Sequence, residues 1–300
     1  MTTIATDRTV RRLTAHIGAE ISGIDITRAL SGSDVELITR ALHDHKALVF
    51  RNAPLDDAGQ QQFASHFGTL TTAHPTVPAV EGAPHVLPVD SEGGMPANTW
   101  HTDVTFVLNP PKASTLVSHV VAPYGGETLI ADTAAAYRNL PEPLRQLADT
   151  LWAVHTNDHD YAVVPEDLDD QARLRREIFT STVFETLHPV VRVHPETGDK
   201  GLFLGGFATR LKGLSTSESR DIIRLLQAYV TRPENVVRVT WEPDQLVLFD
   251  NRITQHYAPD NYDRTPRRLH RVTVAGDVPV SVSGERSTSL TGDASHYTAS

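Results

Sequence analysis

The chain has 300 residues, of which 39% are hydrophobic and 21% are charged, with a formal net charge of −10 and no cysteine. This length is enough for one large domain with a sizeable core. The missing cysteines exclude disulfides, thiolate metal sites and cysteine nucleophiles, so any metal must be bound by His, Asp or Glu.

The acidic balance argues against non-specific binding to nucleic acid. No apolar run approaches the roughly 20 residues that a membrane-spanning helix needs. A chain without cysteine also suits a reducing compartment. We therefore expect a cytoplasmic protein with no nucleic-acid partner and no membrane partner.

Short strands are predicted within residues 10–27, and two helices follow. A capping box at Ser33–Glu36 opens the first helix, which ends near His45. Residues 47–50 read as a buried strand and residues 55–67 as the second helix. Residues 74–97 are rich in proline, glycine and small side chains, and such a long loop is typical of a lid over a binding site.

Residues 100–108 and 113–121 are strand-like, and residues 128–131 follow a glycine turn. Residues 157–176 are polar and acidic, which predicts a second lid segment. Helices are expected at 141–152 and, after a capping box at Ser215–Glu218, up to about Val230. Later strands are expected at 190–193, 201–204, 236–241, 245–249 and 268–274.

Many short strands with long excursions and few helices predict a mainly β protein with helical insertions (α+β). The expected core is a double-stranded β-helix, the cupin-like jelly roll, which brings residues distant in sequence to one mouth. We expect one catalytic domain over residues 1–280. Residues 281–300 are rich in Ser, Thr and Gly and are expected to form a flexible tail.

The most informative motif is a single His-x-Asp pair, His101 and Asp103, with a second histidine, His256, far downstream. Alternate residues of a strand point to one face, so His101 and Asp103 can act together. Two histidines and one carboxylate form the facial set that holds non-haem Fe(II). A buried hydrogen-bonded pair is the structural alternative. The similar His194-Pro195-Glu196 segment reads as a solvent turn, because Thr-Gly-Asp follows it.

Three arginines follow His256 closely. On a strand, Arg267 and Arg271 share one face while Arg268 points away. A solvated basic strand is the simple interpretation. Two guanidinium groups on an inner face, however, are costly to bury unless anions meet them. We therefore interpret Arg267 and Arg271 as anion anchors and Arg268 as a surface residue.

Several motifs together carry a family resemblance: Trp100–Phe106, Gly125–Thr128, Asp250–Arg252 and Thr254–Tyr257. On these motifs the chain resembles the Fe(II)/2-oxoglutarate-dependent dioxygenases of the taurine dioxygenase family, over nearly its whole length. Segments 73–78, 133–137, 140–144 and 188–195 are most similar to the alkylsulfatase branch of that family.

The resemblance implies roles for particular residues. His101, Asp103 and His256 match the iron ligands, and Thr128 and Arg267 match the pair that holds 2-oxoglutarate. Further positions match the substrate pocket: His74 and Arg271 grip the anionic head, Asn98 supplies an amide and Phe207 an aromatic wall. Two departures concern the pocket rim at residues 81–97 and Phe249, which stands where a tryptophan is common.

The implied reaction uses Fe(II), 2-oxoglutarate and O2 to hydroxylate the carbon next to an anionic group. An alkyl sulfate ester would then collapse to an aldehyde and inorganic sulfate, with succinate and CO2 as co-products. A sulfonate, an aryloxyalkanoate or a specialised metabolite is the alternative substrate. A metal-free anion-binding module and a zinc hydrolase remain the alternatives from other classes. The resemblance also implies a homodimer or homotetramer.

Overall fold

The computed structural model describes residues 8–91, 97–159, 170–263 and 265–298. The strands are β1 Thr9–Arg12, β2 Ala19–Ser22, β3 Ala47–Phe50, β4 Val86–Asp90, β5 Ala113–Val120, β6 Thr128–Asp132, β7 Trp152–Thr156, β8 Glu185–Pro189, β9 Val191–Val193, β10 Lys200–Leu202, β11 Ala208–Leu211, β12 Val236–Val239, β13 Leu246–Asp250, β14 Thr254–Tyr257, β15 Arg268–Val274 and β16 Thr288–Thr291. The helices are α1 Gly32–His45, α2 Asp57–Ser65, α3 Thr133–Arg138, α4 Glu142–Thr150, α5 Asp170–Phe179, α6 Thr216–Val230 and α7 Ser295–Thr298.

The larger wall of the molecule is a seven-stranded sheet in the order β1-β2-β3-β13-β5-β15-β4. Two smaller sheets, β12-β6-β14 and β11-β7-β8-β16, and the β9–β10 hairpin complete the strand pairing. One apolar cluster joins side chains of β3, β5, β13 and β15 to Ile130 of β6 and Val237 of β12, so it fills the space between the walls. This arrangement confirms the predicted jelly-roll class.

The large sheet is covered on both faces, which explains why every residue of β3 is buried. Ala47 and Val49 belong to the cluster between the walls. Leu48 and Phe50 point the other way and pack with residues of α1 and α2. The outer helices therefore close the back of the sheet, and the opposite side is left to build a site.

The capping prediction for α1 is wrong by two residues. Ser31 is the N-cap, and its hydroxyl accepts a hydrogen bond from the Asp34 amide at 3.2 Å while the Asp34 carboxylate accepts from the Ser31 amide. Asp can close a capping box as well as Glu, and the earlier serine was overlooked. The second predicted box is confirmed, with Ser215 and Glu218 at the start of α6.

The C-terminal stretch differs from the flexible tail that its composition predicted. Strand β16 pairs with β8, and Tyr297 of α7 is fully buried among Phe106, Phe184 and Phe207. A single aromatic anchor fixes the segment, and an average over composition does not detect it.

The two predicted lid segments lie partly outside the described residues, which lack 92–96 and 160–169. Their described parts contain β4 and α5. Among the described helices, none is long and apolar enough to cross a membrane. The division into a domain of residues 1–280 stays a prediction.

The buried side chain of His155 should make the stability of the fold sensitive to acid. The His155 ring stacks on Phe203 at 5.3 Å and contacts the Thr105 hydroxyl at 2.8 Å, and burial lowers the pKa of His155 to about 3. Since the unfolded chain then binds the additional proton, stability falls as pH drops from about 6.5 towards 3.

We expect His155→Phe to remove about 1.4 kcal/mol per pH unit from the slope of unfolding free energy between about pH 6 and 4. Urea unfolding at several pH values would measure the slope. The exposed His16 provides the control, as His16→Phe. Equal slopes in both variants would contradict the assignment.

Candidate active site

The three residues of the predicted metal set meet at one point. An isolated backbone bridge joins His101 to His256 of β14, with N–O distances of 3.0 and 2.7 Å. The two imidazole rings lie 4.1 Å apart between centroids. The Oδ1 atom of Asp103 is 4.0 Å from Nε2 of His101 and 3.7 Å from Nε2 of His256. All three side chains are buried.

The predicted strand at residues 100–108 is wrong beyond His101, and the difference shapes the site. Residues 103–106 form a turn, in which Val104 has a φ of 54°. The Asn251 side chain holds this turn: its Oδ1 accepts from the Asp103 amide at 2.9 Å, and its Nδ2 donates to the carbonyls of Asp103 and Pro111. A side chain on a distant loop thus replaces the strand partner.

Neighbouring groups orient the donor atoms. The Nδ1 of His101 donates to the Thr99 carbonyl at 2.7 Å, so its Nε2 carries the lone pair. Ser114 donates to Oδ2 of Asp103 at 2.7 Å, while Oδ1 is the carboxylate oxygen near both imidazoles. Such partners fix the orientation of metal ligands.

The protonation states also suit a metal. Burial and the neighbouring His101 lower the pKa of His256 to about 3, and burial lowers that of His101 as well. Burial alone would raise the pKa of Asp103, but Arg271 and both histidines bring it down to about 2. At neutral pH the set is therefore two neutral imidazoles and one carboxylate, the forms that ligate a divalent ion.

A positive group already contacts the carboxylate. The Nη1 of Arg271 donates to Oδ1 of Asp103, the same oxygen that faces both imidazoles. The guanidinium thus balances the negative charge of Asp103, as a metal cation would. Because the donor set is two imidazoles and one carboxylate, we conclude that these residues fit a divalent metal.

A cavity of about 510 Å³ opens beside the set, within the size range of small-molecule sites. Its lining includes His101, His256 and four other predicted site residues, His74, Thr128, Arg267 and Arg271. One wall is apolar and combines strands with α5: Leu87, Val89, Leu116, Ile178, Phe179 and Leu269.

The alternation at the start of β15 is as predicted, since Arg271 and Arg267, the residue just before the strand, are buried and Arg268 is exposed. The Nε of Arg267 donates to the Gly126 carbonyl at 2.8 Å. Gly126 has a φ of +65°, and a Cβ atom there would lie 3.0 Å from Cδ of Arg267. The glycine turn therefore leaves room for this arginine and anchors it.

Thr128 and His74 can each donate a hydrogen bond to a ligand. The Thr128 hydroxyl accepts from Nε1 of Trp241 at 3.0 Å, so its own proton remains to be given. The Nδ1 of His74 accepts from the amides of Thr76 and Val77, each at 3.1 Å. Burial and the charge of Arg271 lower the pKa of His74 to about 3. The ring is thus neutral, with its proton on Nε2.

Two predicted pocket residues lie at the margin. Phe207 packs edge-on against the His101 ring at 6.1 Å and stacks on the cavity residue Phe179 at 6.2 Å, one layer behind the lining. Asn98 is half-buried and directly follows Ala97, which lines the cavity. Their roles in substrate binding stay predictions.

The turn predicted after His194 is confirmed, since residues 195–198 are exposed between β9 and β10, but the His194 side chain itself is not at the surface. His194 is buried, with its Nε2 at 2.9 Å from Asp250 and its Nδ1 accepting from the amides of Glu196 and Thr197. Since both ring nitrogens are engaged, this histidine is structural. Sequence reasoning also missed Asn251, Ser114 and Trp241, of which only Asn251 had a signal, its place in the Asp250–Arg252 motif.

The comparisons with known proteins agree with this geometry. The model of the family "Taurine catabolism dioxygenase TauD, TfdA family" matches residues 9–273. An alpha-ketoglutarate-dependent sulfate ester dioxygenase of Pseudomonas putida is 51% identical over 93% of this chain and 93% of its own length. An alkylsulfatase of Acinetobacter baylyi is 46% identical, covering 92% of this chain and 87% of its own.

A solved structure confirms the fold. The crystal structure of a taurine dioxygenase from Burkholderia xenovorans superposes with a TM-score of 0.81 at 36% identity, covering 98% of this chain and 99% of that one. The chain belongs to the TauD/TfdA family of dioxygenases. It is an Fe(II)- and 2-oxoglutarate-dependent enzyme, and neither the binding-module nor the zinc-hydrolase interpretation is favoured.

We expect Asn251→Ala to lower Fe(II) affinity about 10- to 100-fold, because the turn that presents Asp103 loses its support. Anaerobic metal titration of the purified variant would measure the affinity. Asn235→Ala is the matched control, since Asn235 is a buried asparagine whose Nδ2 bonds the Tyr229 carbonyl. Both variants should lose stability, but only the first should lose metal; an unchanged affinity would contradict the positioning role.

Proposed function

We propose that this enzyme binds iron through His101, Asp103 and His256 and hydroxylates the carbon beside the anionic head of an alkyl sulfate ester. The observation that carries this proposal is the shared cavity: His101 and His256, two buried arginines and an apolar wall all line it. Iron and 2-oxoglutarate together supply O2 activation, with succinate and CO2 as co-products.

We assign 2-oxoglutarate to Thr128 and Arg267. A guanidinium offers two parallel N–H groups to a carboxylate, and the Gly126 carbonyl fixes its orientation through Nε. The Thr128 hydroxyl can add a third hydrogen bond, because Trp241 uses only its acceptor side. These groups would hold the distal carboxylate and direct the keto acid end towards the triad.

We assign the sulfate head to Arg271 and His74. The Nε and Nη2 of Arg271 are buried and have no hydrogen-bond partner among the described residues. An anion would satisfy them, and such unpaired buried donors otherwise cost free energy. His74 would donate from Nε2 in its neutral form, which makes the grip independent of pH near neutrality.

The apolar wall and the relatives favour a sulfate ester with an alkyl chain. The wall of Leu87, Val89, Ile178 and Leu269 suits an unbranched or lightly branched hydrocarbon. Relatives named for sulfate ester and alkylsulfatase activity are 51% and 46% identical. Hydroxylation of the ester carbon gives a hemiacetal-like centre, which collapses to an aldehyde and inorganic sulfate.

The proposal is tested by supplying Fe(II), 2-oxoglutarate and O2 with a panel of medium-chain alkyl sulfates, taurine and aryloxyacetates. Succinate and free sulfate should form in equal amounts from an alkyl sulfate. Succinate from another panel member alone would keep the iron chemistry and reject the substrate. A third result, no succinate with any compound despite bound iron, would reject both.

The two arginines should separate in their effects. We expect Arg271→Ala to raise KM for the alkyl sulfate about 10- to 100-fold, since a charged hydrogen bond to a buried group is lost, while KM for 2-oxoglutarate changes far less. Arg268→Ala, on the exposed face of the same strand, is the control. Equal losses for both substrates would contradict this division.

Gly126→Ala should act through Arg267. The added Cβ would press on the arginine, so we expect KM for 2-oxoglutarate to rise about tenfold or more with little change in metal affinity. Gly82→Ala is matched to it, because Gly82 also has a positive φ, +75°, but nothing lies within 4 Å of its Cβ position. If Gly82→Ala raised KM for 2-oxoglutarate as much as Gly126→Ala does, the contact with Arg267 would not be the cause. An unchanged KM in Gly126→Ala would also contradict this role.

We further propose a cytoplasmic homodimer or homotetramer. The absence of cysteine supports a reducing compartment. Size-exclusion chromatography with light scattering would determine the assembly, and a monomeric mass at micromolar concentration would reject it.

A further inference from the structure

A further group of two histidines and one carboxylate lies on the outer face of the large sheet. Among the described residues, three groups bring His, Asp or Glu donor atoms within 4.8 Å of one another. One is the triad of the cavity, and the second contains His194, whose ring nitrogens are engaged. The third consists of Asp57, His119 and His270 and is called the outer cluster below.

The outer cluster resembles the triad in the arrangement of its two rings, but its carboxylate lies closer to one of the histidines. The Oδ1 of Asp57 is 2.5 Å from Nδ1 of His270 and 3.9 Å from Nε2 of His119. The two rings are 4.1 Å apart at 56°, against 4.1 Å and 53° for His101 and His256. Among the described residues, a close pair of imidazoles beside one carboxylate therefore occurs outside the cavity as well.

The fold builds this cluster from three elements. Arg268 pairs with Val120 and Leu269 with Ser118, so His119 is the additional residue of a β-bulge in β5. Bulges redirect side chains, and here the bulge turns His119 towards its neighbour on β15. His270 alternates with Arg271 and faces away from the cavity.

Helix α2 supplies the carboxylate from its first turn. The Gln60 side chain, one turn further on, donates to the His270 carbonyl at 2.9 Å and to the Thr115 carbonyl at 3.3 Å. These bonds fix the helix against both strands. The hydrogen bonds of Gln60 thus help to hold Asp57, one turn away on the same helix, over the two histidines.

A simple ion pair explains only part of this arrangement. Asp57 and His270 could form a hydrogen-bonded pair, but His119 then lies beside the same oxygen without a reason. Burial and the neighbouring His270 lower the pKa of His119, so its ring tends to stay neutral with a lone pair. The side chains are 28%, 26% and 13% exposed for Asp57, His119 and His270, which lets an ion enter from solvent.

We propose that Asp57, His119 and His270 form a second divalent metal site, suited to an ion such as Zn²⁺ that accepts imidazole and carboxylate ligands. Three protein ligands leave the remaining positions to water on the exposed side. The ion would join α2 to β5 and β15. Because β15 carries Arg271 on its other face and directly follows Arg267, the site would brace the strand that positions both anion anchors.

Zn²⁺ titration by calorimetry, with metal counting after dialysis, tests the site without an activity assay. We expect two equivalents in the wild-type protein and one in the His101→Ala/His256→Ala variant. Added to that double variant, His119→Gln should lower the Zn²⁺ affinity of the remaining site more than about tenfold. Loss of only a hydrogen-bonding partner of a metal ligand already lowers metal affinity by about that factor. His45→Gln, a half-buried histidine at the end of α1, should leave both equivalents in place.

Two results would overturn the proposal. One is a folded His101→Ala/His256→Ala variant that binds no Zn²⁺. The other is an unchanged second equivalent after His119→Gln. If the double variant does not fold, the wild-type protein decides: two equivalents that fall to one with His119→Gln support the site, and a single equivalent in both rejects it.

Discussion

The backbone bridge between His101 and His256 is the contact on which the site depends. Its two hydrogen bonds tie the loop before β5 to strand β14, and the rings then stand side by side. Asp103 follows within the turn that Asn251 supports. The remaining cavity groups come from strands, from α5 and from the loop that carries His74, and they surround the point where these two distant segments pair.

Positive charge is concentrated where an acidic chain would otherwise repel its substrates. The formal net charge is −10, yet Arg267 and Arg271, just before and within β15, are both buried and line the cavity. Burial of a guanidinium is unfavourable without a partner. The Gly126 carbonyl and the Asp103 carboxylate meet part of this need, and two anions from 2-oxoglutarate and substrate would meet the rest.

Strand β15 joins both faces of the large sheet. Its inward residues line the cavity, and His270 on its outward side belongs to the outer cluster with His119 and Asp57. A single strand can carry two separate chemistries because its side chains alternate. The bulge at His119 is needed to complete the outer cluster, and regular pairing there would have left this histidine in another register.

The sequence by itself predicted the chemistry: the candidate donors His101, Asp103 and His256, the parity of Arg267 and Arg271, and the mainly β class. Those inferences rest on residue type, local period and the motifs of a family resemblance, none of which requires a known tertiary contact. Only the tertiary structure decided that Asp103 sits in a turn, that Tyr297 anchors the C-terminal stretch and that His194 is buried. Each depends on a contact between segments far apart in the chain, such as Asn251 with Asp103, and no local pattern encodes such a contact.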